Sequence, residues 1–162
     1  MRDRVTVNTN QKMLDRAMPW GIALLRVVVG FAFFMHGQQK LFQMGVGGVG
    51  GFFASLGIPA PELAAVVVSI VETVGGLALI LGVLTRLVGV LLAADMLVAM
   101  LVVHRPNGFY AGDGGVELVL VLGAAALALA ITGPGALAVD SLLPFGRGSR
   151  VGNTTNPVLS RS

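Results

Sequence analysis

Residues 63–103 decide the fold: LAAVVVSIVETVGGLALILGVLTRLVGVLLAADMLVAMLVV. The run from Leu63 to Leu84 is broken only by Glu72, and the run from Leu87 to Val103 only by Asp95. A membrane-spanning helix needs roughly 20 mostly apolar residues, with a range of about 17–25. Both runs are too long for strands, and alternation with period two is absent. Thr85 and Arg86 alone separate them, so the two helices must form a tight antiparallel hairpin.

Working outward gives two more spans. Trp20 to about Phe42 precedes the hairpin and carries Arg26, His36 and Lys40. Val116 to Ile131 follows it, with Glu117 at its start. The third and fourth runs are short and must borrow flanking residues. Pro59 and Pro61 bracket the entry to the second helix. The stretch from His104 to Gly108 ends the third, and Gly133-Pro134-Gly135 stops the fourth. Gly45 to Gly51 reads as a flexible linker, and Phe52 to Leu56 as a short apolar piece in the membrane interface. The predicted fold class is all-α, an integral membrane four-helix bundle. The bundle covers residues 20–143, with polar segments 1–19 and 144–162 outside it. Residues 1–18 and 145–162 are expected to be poorly ordered. The first run starts too late, is too long and lacks a small-residue cleavage site, which argues against a signal peptide.

Composition supports this reading. Of 162 residues, 55% are apolar and 12% charged, where soluble domains run near about 25% charged. Mean hydropathy is +0.85. These values exclude a disordered chain and an ordinary soluble enzyme. The absence of cysteine excludes a disulfide scaffold and a thiol redox centre in this chain. The pI is about 10.2 and the net charge +3. The basic residues lie mostly at the two ends and no nucleic-acid-reading motif is present, so anionic headgroups explain them better than nucleic acid. Arg2, Arg4, Lys12, Arg16, Arg86, Arg147, Arg150 and Arg161 fall on one side of the four spans, and Lys40 and Arg105 on the other. By the positive-inside rule both termini are cytoplasmic, in the cell's inner or plasma membrane. Gly75, Gly82 and Gly89 recur every seven residues, as do Gly30 and Gly37. Small residues at such spacing let helix backbones approach closely.

Ionisable side chains at bilayer depth are costly unless paired or hydrated. Depths follow from a rise of about 1.5 Å per residue, counted from the cytoplasmic end of each run. Arg26 falls at about 9 Å and Asp95 at about 12 Å, forming an inner layer. Glu72 falls at about 20 Å, Glu117 at about 22 Å and His36 at about 24 Å, forming an outer layer with Lys40 just above. His36 and Lys40 are four apart and share a helix face. The inner layer is expected to be a structural ion pair of Arg26 with Asp95, although Arg26 could instead reach Glu72. In the outer layer, His36, Glu72, Glu117 and Lys40 are the candidate ligand-binding residues, suited to proton exchange or to a polar headgroup. A static hydrogen-bond network accounts for them equally well. A haem held between His36 and His104 is a weaker reading. Met35, Met96 and Met100 read as core fillers instead of a copper site, so no metal is assigned.

Several stretches resemble the DoxX family. Leu25-Arg26-Val27-Val28-Val29-Gly30 through His36-Gly37-Gln38-Gln39-Lys40-Leu41 is similar to its first helix. So are Phe53 through Pro61, Glu72-Thr73-Val74-Gly75-Gly76 through Thr85-Arg86, Gly115-Val116-Glu117-Leu118, and Thr132 through Gly135 with Asp140. The resemblance covers about residues 20–143. It implies a small four-helix integral membrane protein, with Arg26, Glu72 and Glu117 as the positions the family pattern carries. Some members of that family are the membrane subunit of a thiosulfate:quinone oxidoreductase. A mycobacterial form is associated with a superoxide dismutase and a rhodanese-type sulfurtransferase, a setting that links it to oxidative stress.

Three functions follow as expectations. The first is a membrane subunit of an oxidoreductase assembly that anchors soluble redox partners and binds quinone, the one non-covalent cofactor indicated. The second is a non-catalytic scaffold or assembly factor. The third is a small transporter or lipid-binding protein, although inverted repeats are not visible. Candidate partners are membrane lipids, a superoxide dismutase, a sulfurtransferase and a second copy of the chain, with no nucleic acid.

Overall fold

The computed structural model describes residues 2–142. Helix α1 spans Arg2–Gln38 and runs on into a π-helical stretch, Gln39–Met44. At Gly45 the backbone turns through φ +71°, and α2 covers Gly45–Ser55. Helix α3 covers Pro61–Leu81 and α4 covers Thr85–Ala99. A second π-helical stretch, Met100–His104, and a 3-10 turn, Arg105–Asn107, prolong α4. Helix α5 covers Glu117–Thr132, and a 3-10 turn, Val139–Leu142, closes the described chain. No strand occurs among the described residues. The protein is the all-α membrane bundle that the apolar runs predict, with α1, α3, extended α4 and the shorter α5 as its four long pieces.

Two local expectations change. Gly45–Gly51 is not a linker: it is the first part of α2, which buries Val49, Gly50 and Phe53. Gly50 can lie flat on α3 because a Cβ there would meet the Glu62 backbone at 3.3 Å. Val49, Phe53 and Ala65 form a small second core, so glycine here permits close packing and does not signal looseness. The polar N-terminus is also more regular than its composition suggests. Helix α1 is already formed at Arg2, since a helix anchored further along propagates at little cost. The expected loose tail at 145–162 lies outside the described residues.

Helix α3 shows why the bundle needs a bilayer. Ala65, Ser69, Glu72, Gly76 and Leu79 are buried, whereas Leu63, Val67, Ile70, Val74, Leu77 and Leu81 are exposed. Both stripes have helical spacing. The outward one is the more uniformly apolar and the inward one holds the small and polar residues. That arrangement suits lipid outside and close helix contact inside.

The small residues divide the bundle into two tight pairs. Helix α1 crosses α3 where Gly30 meets Gly76: a Cβ on Gly30 would lie 2.7 Å from the Gly76 carbonyl oxygen. Helix α4 crosses α5 where a Cβ on Gly89 would lie 2.7 Å from the Ala126 carbonyl oxygen. Phe33, Leu79, Leu92, Ala126 and Leu129 fill the space between the pairs. The seven-residue glycine series is therefore not one seam. Gly75 packs on Leu92 and Gly89 on α5. Gly82 takes the left-handed conformation that ends α3, and the amides of Gly82 and Val83 return to the carbonyls of Leu79 and Ala78.

Candidate functional site

The α3–α4 turn fixes which acids can meet. Helix α3 stops at Leu81 and α4 begins at Thr85. Glu72 therefore sits nine residues before the turn and Asp95 ten residues after its start, roughly 14 and 15 Å along antiparallel helices. They share one depth. The apolar runs had placed them in separate layers, because they extended the second helix to Leu84 and began the third at Leu87.

Lys40 joins this pair from the π-helical stretch after α1. Its Nζ donates to Glu72 Oε2 at 2.5 Å. The carboxyl group of Glu72 is almost fully buried. Asp95 lines the same cavity as Glu72 and Lys40. The Asp95 Oδ2 atom is buried and has no hydrogen-bond partner among the described residues. The group is thus one ammonium facing two carboxyl groups.

The cluster borders a partly open cavity of about 440 Å³. Its wall is mainly apolar: Phe33 from α1, Val49 and Phe53 from α2, Val68 from α3, Met96 and Val102 from the α4 extension, and Leu122 from α5. The polar residues at the wall are His36, Lys40, Glu72, Asp95, His104 and Asn107. The two π-helical stretches lie on either side of it and supply Lys40 and Met44 from one and Val102, Val103 and His104 from the other. Such departures from α-helical winding re-aim side chains and are frequent at functional sites. The imidazole Nδ1 of His104 donates to the Gly114 carbonyl at 2.6 Å, which ties the α4 extension to the loop before α5.

Three of the four candidate ligand-binding residues come together here: His36, Lys40 and Glu72. Glu117 does not. Its Oε2 accepts from the Ala111 amide at 2.9 Å, and its own amide donates to the Phe109 carbonyl at 2.9 Å. It stands at the first turn of α5 and closes the preceding loop, outside the cavity. Equal depth brought it into the candidate group, but its helix face points elsewhere.

The expected Arg26–Asp95 ion pair is absent. Arg26 is 2% exposed and points the opposite way, to the end of the bundle that carries the α3–α4 turn. Its Nη2 donates to the carbonyls of Leu137 at 3.2 Å and Ala136 at 3.4 Å. The chain after α5 folds back here. The Ala136 amide donates to the Pro19 carbonyl at 2.9 Å, and the Asp140 amide to the Gly82 carbonyl at 2.9 Å. The Asp140 carboxylate accepts from the Leu84 and Thr85 amides at 2.6 and 2.9 Å, capping α4. This returning segment was invisible to hydropathy, which stops at Gly133. The sole signals were Asp140 and the Thr132–Gly135 stop within the family resemblance.

Asp95 and His104 are the residues that reasoning from depth left out of the cavity group. The signal for Asp95 was available in the turn itself, since Gly82 is a helix terminator and Thr85 a plausible start. His104 entered the sequence reading only as a possible haem partner of His36, and both residues line the cavity.

An apolar bundle that turns Lys40, Glu72 and Asp95 onto a cavity defines a polytopic membrane protein with a polar site inside the bundle. The chain belongs to the DoxX family, whose model matches residues 21–105. It is 36% identical over 143 residues to the Bacillus subtilis protein named "Putative oxidoreductase CatD", covering 88% of this chain and 99% of that one. It is 31% identical over 129 residues to the Escherichia coli inner membrane protein YphA, covering 76% and 91%. It is 30% identical over 125 residues to the Escherichia coli inner membrane protein YqjF, covering 76% and 92%. No solved structure matches.

Proposed function

We propose that this protein is the membrane subunit of an oxidoreductase assembly and that its cavity receives a quinone-type ligand. The observation that carries the reading is the cavity itself: about 440 Å³ of mainly apolar wall meeting a part-buried Lys40–Glu72–Asp95 cluster. That volume falls within the range of about 300–1,000 Å³ typical of small-molecule sites, which pair apolar walls with a few placed polar groups. A quinone has the same two-part character, a polar ring edge and an apolar body. The oxidoreductase name of the Bacillus subtilis relative supports the class of reaction.

The roles follow from the side chains. The Lys40 ammonium and the His36 ring are the groups able to donate to a ring oxygen, and Glu72 and Asp95 are the acceptors. Phe33, Val68 and Met96 would hold the apolar body. A bound quinone would supply two-electron chemistry, taking two protons as it is reduced. The two electrons would come from a reduced substrate oxidised by a soluble redox enzyme docked on the membrane, and a superoxide dismutase and a sulfurtransferase are candidate members of the same assembly. We place both termini in the cytoplasm on the Lys/Arg balance, with the cavity in the outer half of the bilayer.

Protein purified from native membranes should yield quinone on solvent extraction, and the emptied protein should rebind a short-chain quinone in detergent. Glu72→Gln should keep the fold and weaken that binding about tenfold. Full binding by the variant, or no quinone in the extract and none rebound, would leave the scaffold as the better account. A membrane-impermeant reagent that labels a tag at Ser162 in intact cells would overturn the orientation.

A further inference from the structure

The exposed rim of the cavity tells which solvent it opens to. Six wall residues are also exposed: Met44, Phe52, Val98, Val102, Asn107 and Leu118. All but Asn107 are apolar. Contiguous exposed apolar surface marks contact with something other than water. Met44 and Phe52 belong to the turn into α2 and to α2 itself, and Val98 and Val102 to α4 and its extension. Val98 and Val102 are four apart and share a helix face. Helix α2 rests on α3. Among the described residues, no hydrogen bond joins α2 or the π-helical stretch before it to the α4 extension. Val98 and Val102 lie 13 and 17 residues after Thr85, roughly 20 and 26 Å from the α3–α4 turn. A hydrocarbon layer about 30 Å thick that begins near that turn covers both.

The far end of the cavity is roofed by the loop before α5. His104 Nδ1 and Asn107 Nδ2 both donate to the Gly114 carbonyl, at 2.6 and 3.3 Å. The Val116 amide donates to the Gly108 carbonyl at 3.1 Å and brings the two ends of the loop together. Phe109 and Tyr110 stand exposed on it, edge to face with ring centres 5.5 Å apart. Tyrosine is enriched at headgroup level, so the loop lies between the cavity and water.

We propose that ligands enter the cavity sideways from the bilayer, through a gap between α2 and the α4 extension, while the loop roof closes the aqueous route. A ligand that takes this path dissolves in hydrocarbon. It is an amphiphile with a compact hydrogen-bonding head, which reaches Lys40 and Glu72, and an apolar tail, which lies between Phe52 and Val98. A tail longer than the cavity trails into lipid through the same opening. Sugars, inorganic anions and other strongly hydrated solutes are excluded. The proposal rests on the reading of the cavity as a small-molecule site, but on no particular head group.

The test needs no ligand of known identity. The full chain in liposomes is photolysed with phenyl(trifluoromethyl)diazirine, which partitions into the bilayer, and separately with its trimethylammonium derivative, which stays in water. Insertion sites are mapped by mass spectrometry. The bilayer probe should label Val49 and Phe53, which are buried but line the cavity. Leu79, Leu92 and Leu129, buried away from it, should stay unlabelled. The double variant Val98→Trp with Val102→Trp narrows the gap and should lose most of the labelling at Val49 and Phe53. Asn107→Trp, at the roof, should leave it unchanged. Thermal unfolding confirms that the variants are folded. Should the double variant fail to fold, the two probes on the unaltered protein still decide the question. The sideways entrance is overturned if the bilayer probe misses Val49 and Phe53, or if the water-held probe labels them more strongly. It is equally overturned if Asn107→Trp blocks the labelling and the double variant does not. Those results leave the small-molecule reading standing, because extraction and rebinding judge it separately. Labelling of the wall with no quinone extracted or rebound keeps the entrance and removes the quinone-type ligand.

Discussion

Arg26 and Lys40 lie on the same helical run, fourteen residues and roughly 21 Å apart, and each is a cation turned into the bundle. At one end Arg26 donates to the carbonyls of Ala136 and Leu137. The returning segment, the Asp140 cap and the Gly82 turn fill the surrounding space. At the other end Lys40 meets a side chain, Glu72, and the space beside them is a cavity. The first end is closed by the chain's own backbone. The second is held apart by α2 and two π-helical stretches. A buried charge is therefore not by itself a sign of function. What separates the two ends is whether the chain supplies everything around the charge.

Lys40→Met would break this comparison most severely. It strands Glu72 without its cation, and breaking a buried pair costs about 3–5 kcal/mol. The double variant Lys40→Met with Glu72→Gln removes both charges and should recover most of that loss, while ligand binding stays weak. Thermal unfolding of the two proteins in detergent checks this. If the double variant is as unstable as the single one, the pair is not what holds this end together.

Arg26→Met should cost less, about 1.5–3 kcal/mol, the range for a hydrogen bond to a charged group. The Nε and Nη1 atoms of Arg26 are buried and have no partner among the described residues. Removing them relieves part of the penalty that the lost bonds impose. Ligand affinity should be unchanged, because the cavity is lined at the far end of α1. A loss of affinity as large as that of the Lys40 variant would show that the two ends are coupled.

The fold was legible and the site only half so, for reasons specific to particular residues. Apolar length and the Pro, Gly and charge breaks are local properties, and they marked α3, α4 and α5 to within a few residues but missed the polar first half of α1. Which side chains meet depends on helix phase and on where a turn closes. A three-residue error at Leu81 moved Glu72 away from Asp95, and phase alone removed Glu117. His36 and Lys40 stayed together because they lie on one helix, where spacing determines the shared face. Arg26 went to a segment that has no hydropathy signal, since residues 133–142 bind through backbone groups and the Asp140 carboxylate. The role of α2 was obscured because a glycine run reads as flexible until a neighbour such as Glu62 is known to press against it.

Asp140→Ala sharpens the account of the closed end. It removes the acceptor for the Leu84 and Thr85 amides, and losing such a cap costs typically about 1 kcal/mol. The start of α4 should fray, seen as faster amide hydrogen exchange at Thr85–Val88 with cavity binding intact. Unchanged exchange there would mean that the Gly82 turn alone sets the start of α4.

Glu117→Gln should have the smallest effect. Glu117 shares the predicted depth of the cavity cluster but spends its carboxylate on the Ala111 amide, at the edge of the loop. A glutamine side-chain oxygen can accept the same hydrogen bond at nearly the same length. Away from buried pairs and cores, a substitution usually changes stability by no more than about 0.5 kcal/mol. The loss of negative charge at the first turn of α5 falls within that range. Quinone affinity should match that of the unaltered protein. This makes Glu117→Gln the control for Glu72→Gln: the same chemical change in a residue of similar depth, one inside the cavity wall and one outside it. If both variants weaken binding equally, depth and not the cavity governs the site. The cluster of Lys40, Glu72 and Asp95 would then lose its claim to be the ligand's polar contact.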